Sequence, residues 1–194
     1  MILSNLQQQF VVYFGKNFFY PEVVDRWLPA VKRLCLPYMN LEDFMLAQLQ
    51  SFSFPAINMS SVNQQWGQYK LSKRDSRTLD QAMDKTMTFT FKLTEGYISY
   101  FIWRQQMDLY YQEFEIKKLY MNPIMVDLLD DQGHAVITYE QEQITPISLS
   151  DLPLSYAAKL GSYSTFTLTT NYNYYDVWYY DTVSKKMIKQ ERQS

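Results

Sequence analysis

The residues suited to chemistry are few: one histidine, one cysteine, two glutamates spaced two apart, and one basic cluster. His134 stands in "DDQGH" beside Asp130 and Asp131, a set that invites a metal-site reading. Asp and Gly also favour turns, and no second His or Cys cluster exists to complete a zinc or iron site, so the pattern predicts a solvent-exposed turn. Cys35, in "VKRLCLPY", has apolar neighbours that raise a thiol's pKa and lies far in sequence from His134, a poor nucleophile and base pair. Alone and buried it reads as a small hydrophobe, and it cannot form an internal disulfide, which suits a reducing compartment. Glu140 and Glu142 in "YEQEQI" share one strand face and could supply the carboxylate pair of a glycosidase; a solvated charged edge is the commoner use of such a pair. "SKRDSR", Ser72 to Arg77, could bind phosphate but lacks a matched groove of aromatic platforms. There is no P-loop, no GxGxxG and no glycine-flanked serine elbow. The expectation is no catalytic residue, no metal and no cofactor, with an enzyme working through Glu140, Glu142 or His134 the least favoured reading.

Composition narrows the rest. The 194 residues fit one domain and include 47% hydrophobic and 17% aromatic side chains, with 17 Tyr and 12 Phe. Tyrosines in such number suit strand faces and subunit contacts, where one end of the ring is dry and the other wet. A net charge of −2 argues against a protein built to grip nucleic acid. The start, "MILSNLQQQF", lacks a basic region and no run approaches the roughly 18 apolar residues of a membrane span, so a soluble chain without a classical export signal and without a membrane partner is expected.

The elements that must position these groups are read from periodicity. "QFVVYFG" predicts a short strand, and "YPEVVDRWLPAVKRL" a helix with Val24, Leu28 and Val31 on one face and a kink or break at Pro29. Asn40 is an N-cap for a short helix that runs into the strand "LQSFSF". Residues 58–85 form a long polar connection with Trp66, Tyr69, Leu71 and Leu79 scattered among charges. "MTFTFKL" alternates, with Met87, Phe89, Phe91 and Leu93 on one face and Thr88, Thr90 and Lys92 on the other. Thr94 begins an amphipathic helix with Ile98, Phe101, Ile102 and Leu109 at helical spacing; a hairpin follows, turning at Asp130 to Gly133. A looping stretch from "TPISLS" leads to the last long strand "TFTLTTNYNYYDVWYY", whose Thr167 and Thr169 repeat the threonine pattern. Residues 1–40 read as an N-terminal strand and helical arm, 41–182 as the main domain, and 183–194 as a frayed, flexible tail. The fold class is mainly β: an antiparallel sandwich or barrel with one flanking amphipathic helix and the N-terminal helical arm. The threonine faces suit either water or a polar surface repeated around an assembly.

Taken in order, "LPYMNLEDFMLAQLQSFSFPAIN", "TMTFTFKLTEGYISYFIW", "IMVDLLDDQGHAVITYEQ" and "TPISLSDLPLSYA" with "FTLTTNYNYYDVW" resemble the tail tube proteins of bacteriophages, which share their fold with the inner-tube proteins of contractile injection and type VI secretion systems. The resemblance runs from about Phe10 to Trp178. It implies a structural virion protein, assembled in the bacterial host cytoplasm, whose homohexameric rings stack into a tube; other tail proteins such as sheath, baseplate or terminator are its partners, and double-stranded DNA passes through without specific binding. It further implies that Thr88, Thr90, Thr167 and Thr169 face the lumen or a neighbouring subunit, and that the loop carrying Trp66, Tyr69, Leu71 and Leu79 makes inter-ring contacts. The stretch up to Tyr38 is longer and more apolar than in a plain tube subunit, which keeps open a single-ring tube initiator, terminator or baseplate protein of the same fold. A carbohydrate- or peptide-binding module using Tyr174 and Trp178 is the alternative from another class.

Overall fold

The computed structural model describes residues 9–34, 38–54, 61–66, 69–74, 84–113, 120–130, 132–152, 164–181 and 184–190, and its strands fall where apolar and polar residues alternate. They are β1 (Gln9–Phe14), β2 (Leu49–Ser53), β3 (Ser61–Trp66), β4 (Tyr69–Arg74), β5 (Thr86–Lys92), β6 (Ile124–Leu129), β7 (Ala135–Leu149), β8 (Thr165–Asp181) and β9 (Lys186–Lys189). The described helices are α1 (Pro21–Arg33), α2 (Leu41–Gln48) and α3 (Ile98–Glu113), the last entered through a 3-10 turn at Glu95–Tyr97. Among the described residues, seven strands make one antiparallel sheet in the order β1-β6-β7-β8-β5-β2, with β9 on the far half of β8, and β3 and β4 form a separate two-stranded sheet. The sheet curls into a half-barrel. Its two edges approach across the interior, where the Phe10 and Phe52 rings lie 4.6 Å apart, edge to face.

The concave side is the core. Met87, Phe89 and Phe91 of β5, Phe166, Leu168 and Tyr172 of β8, and Val12, Ile124, Val126 and Ile144 are all buried there. α3 closes it with a face of Ser99, Ile102, Trp103, Gln106 and Tyr110, all buried at i, i+3, i+4 spacing. That face is rotated from the expected one: Phe101 is 40% exposed and instead stacks on Trp27 of α1 at 6.2 Å. Trp27 Nε1 also donates to Gln105 Oε1 at 2.7 Å. Buried Gln106 fixes the segment before α1 by accepting from the Tyr20 N–H at 3.0 Å and donating to the Phe18 carbonyl at 3.2 Å.

Several expectations hold in detail. Asn40 caps α2, its Oδ1 accepting from the Asp43 N–H at 2.7 Å. The turn before His134 is closed by Gly133 at φ +84°, a left-handed conformation that glycine adopts without strain. Others are corrected. Pro29 neither splits nor ends α1, which runs unbroken to Arg33 and buries Val23 and Val31, with Val24 and Leu28 only partly covered. The polar connection 58–85 contains the β3–β4 ribbon. β7 continues through Pro146 to Leu149, where a looping connection was expected: the register shifts between Pro146 and Ser148, and a bulge is where a strand accommodates a missing N–H. Lys186–Lys189, in the stretch read as a flexible tail, forms β9 against Trp178–Asp181.

The Tyr139 hydroxyl lies 3.0 Å from that of Tyr172, both rings are buried, and Tyr139 stacks on Tyr175 at 5.1 Å. Burial first, and then the Tyr172 hydroxyl, raise the Tyr139 pKa far above the usual phenol range. A raised folded-state pKa gives stability that is fully present below the unfolded value near 10 and is lost as pH rises beyond it. Tyr139→Phe is therefore expected to flatten the fall of the urea midpoint above about pH 10. An unchanged alkaline slope would contradict this placement.

Candidate functional site

The threonines singled out from sequence meet on one surface. Thr88 lies directly opposite Thr169, and Thr90 opposite Thr167, across the β5–β8 pair. On the other side of β5, Ser53 pairs with Thr88 and Ser51 with Thr90; Ser148 of β7 pairs with Thr169. The result is a lattice of seven hydroxyl residues on four strands, on the side of the sheet opposite the core. The threonines are half-buried because each shields the next, and opposed Thr–Thr pairs contribute about 0.2–1 kcal/mol each. Along β5 and β8 the lattice continues to Asn171 opposite Thr86 at one end and meets its first charge, Lys92 opposite Thr165, at the other. Sequence reading missed the serines, although "LQSFSF" shows the same alternation of hydroxyl and phenyl groups.

Further along the sheet the same side turns acidic. Glu140 and Asp176 are register partners, and the carboxylate oxygens of Glu140, Glu142 and Asp176 lie within 4.8 Å of one another. Asp176 was not singled out from sequence. Its carboxylate is ion-paired with Lys189 Nζ at 2.5 Å, and that ammonium also lies 5.5 Å from the Trp178 ring centroid. Among the described residues these three carboxylates are the group that could hold a cation, and Lys189 already supplies one. Asp176 is buried and Glu140 partly so, while a described cleft of about 340 Å³ lies elsewhere, between the end of β1 and the start of α2, near Tyr13, Lys16, Asn40 and Glu42. A glycosidase pair needs a substrate between its carboxyls, and here the Asp176 carboxylate is already occupied by Lys189.

The Asp130–His134 turn is structural chemistry. The Asp130 carboxylate accepts the His134 N–H at 2.8 Å and the Gln132 N–H at 2.9 Å. The bond from the His134 N–H, then that from Gln132, hold its pKa below the ordinary carboxylate value. His134 itself is exposed, with Nδ1 3.5 Å from Asp130 Oδ2. Tyr174 is 48% exposed beside Glu142 in the register. In the ribbon, Trp66 pairs with Tyr69 and Gln64 with Leu71; the side chains of these residues, and the whole of Leu79, Asp131 and Cys35, lie outside the described residues. Among the described residues, no helix is long and apolar enough to cross a membrane.

The curled antiparallel sheet with a helix across its core, together with the separate β3–β4 ribbon, makes a fold with counterparts among solved structures. The chain aligns over 91% of its length, and 97% of the other chain's, with a chain of the anti-feeding prophage baseplate, at TM-score 0.50 and 12% identity. Chains from the sheath–tube complex of an extracellular contractile injection system and from an Hcp crystal structure align at TM-score 0.43, with 12% and 11% identity, covering 88% and 96% of this chain and 88% and 100% of theirs. At such identities the likeness is one of fold. Neither a protein-family model nor a curated protein matches the chain.

Proposed function

We propose that this chain is a non-enzymatic structural subunit of a phage-like tail, forming homohexameric rings that stack into a tube through which double-stranded DNA passes. The paired hydroxyl lattice carries this reading. Thr88, Thr90, Thr167 and Thr169 present small neutral groups across adjoining strands, and the same side continues into Glu140, Glu142 and Asp176. A surface of this kind releases no counterions to phosphates and so does not hold a passing duplex. Among the described residues β1 and β2 are the edge strands, and ring closure with neighbouring copies would pair such edges. Sheath, baseplate or terminator proteins are the further partners in this reading, and the virion tail its location.

A single-ring initiator, terminator or baseplate role is the second reading. It is favoured by the N-terminal stretch: β1 is built into the sheet, and α1 covers part of α3 through Trp27 and Phe101. Sedimentation velocity over a wide range of concentration and salt tests both readings. Assembly from the 23.2 kDa chain into closed, ring-sized species is expected; a monomer under every condition would contradict both. Longer polymers favour the tube subunit, and a fixed ring mass favours the single-ring role.

A further inference from the structure

β9 stays on the sheet with little side-chain burial to keep it there. It is four residues long, pairs with β8 alone among the described strands, and exposes Lys186, Ile188 and Lys189, with Met187 only partly covered. Apolar burial on this scale is too small to offset the ordering of the segment. The turn that returns the chain also works against docking, because Lys185 sits at φ +55°, a left-handed conformation that a residue with a Cβ seldom adopts. Backbone donors close that turn on one residue: the Lys185 N–H reaches the Asp181 carbonyl at 2.8 Å, and the Ser184 N–H its carboxylate at 2.9 Å.

What distinguishes β9 from a frayed end is one cation. Lys189 Nζ lies 2.5 Å from the Asp176 carboxylate and 5.5 Å from the ring centroid of Trp178, its register partner. Asp176 is only 7% exposed, and the carboxylates of Glu140 and Glu142 gather with it within 4.8 Å. With β9 in place the ammonium offsets this negative charge. With β9 away, three like charges would face one another in a partly dry setting, which disfavours release. Docking of the strand and neutralisation of the cluster are therefore one event. The docked strand also closes an edge: β5 pairs with β8 over Thr165–Asn171, and β9 takes the same side of β8 over Trp178–Asp181. An open strand edge is a template for pairing with another chain.

We propose that β9 is a latched cap on the distal edge of β8, with Lys189 as the latch: while its ammonium sits in the carboxylate cluster the edge is closed to other chains, and loss of that charge frees the strand and opens the edge. The latch belongs to the single subunit and is independent of ring formation. Amide hydrogen exchange of full-length variants tests it. Lys189→Met keeps an unbranched stem over Trp178 and removes the charge, whereas Lys189→Arg keeps both. The Lys189 side chain is half exposed, so both variants are expected to fold; Lys189→Gln replaces the first if circular dichroism shows otherwise. In Lys189→Met, exchange over Trp178–Asp181 and Lys186–Gln190 is expected to quicken about tenfold or more, while β5 keeps its protection. Lys189→Arg is expected to stay within about threefold of the wild type. Wild-type protection of these two segments in Lys189→Met, or equal losses in the Met and Arg variants, overturns the proposal. So does a loss that spreads equally into β5, which would mark Lys189 as a contributor to general stability with no latch.

Discussion

Thr88→Lys with Thr90→Lys is expected to convert assembled rings from indifferent to DNA into salt-sensitive DNA binders, while the subunit fold stays intact. Both side chains are half-buried on the side away from the core, in register with Thr169 and Thr167, so lysine stems can lie along the sheet and extend their ammonium groups outward. In a hexamer the change adds twelve cations around one channel. If only about six of them met phosphates, affinity for a short duplex would fall about 10³-fold between 50 and 200 mM salt. Gln112→Lys is the control, because Gln112 is exposed on α3, away from this face. Duplex binding by fluorescence anisotropy reads the result. Equal DNA binding by the α3 control and the sheet variant would remove the lumen assignment.

Phe91→Ala carries the largest expected cost in stability, about 3–5 kcal/mol. Phe91 is fully buried and meets Trp103 and Phe166, both with ring centroids at 5.5 Å, so it joins β5, β8 and α3 at once. Truncation leaves a cavity lined by rings that cannot collapse easily, and it removes aromatic pairings worth about 0.5–1.5 kcal/mol each beyond simple burial. A loss of that size is a large part of the 5–15 kcal/mol by which a domain is typically stable. The comparison is Phe101→Ala on the outer face of α3, 40% exposed, stacked on Trp27 and edge to face with Tyr100, where a loss of about 1 kcal/mol is expected. Urea midpoints of the two variants decide it; equal losses would mean that the α3 faces are wrongly assigned.

The sheet was largely legible in the sequence because period-2 alternation survives wherever one face is buried. "MTFTFKL" and "STFTLTTNY" gave both the strands and the residues on each face, and the structure pairs them directly. What stayed hidden depended on partners distant in sequence. β9 exists because Trp178–Asp181 offers it a free edge, which the charged "KKMIK" does not announce. β7 crosses Pro146 because a bulge absorbs it, so the start of a stretch read as a looping connection lies inside a strand. Likewise α3 buries Trp103 and Tyr110 and exposes Phe101, a rotation decided by α1 lying against it. At the site, single-strand alternation named the four threonines, but their direct opposition and the added Ser51, Ser53 and Ser148 are properties of register between strands. Asp176 escaped notice for the same reason, standing some thirty residues from Glu140 and Glu142 yet beside them in the sheet.

In the proposed assembly, copies of this chain close into a ring with the hydroxyl lattice toward its channel. Cryo-electron microscopy of the purified, assembled protein addresses it most directly. Six-fold rings are expected, single or stacked, in which Thr88, Thr90, Thr167 and Thr169 line the central opening. Rings that carry this face on their outer surface, or no closed assembly at any concentration, would contradict it.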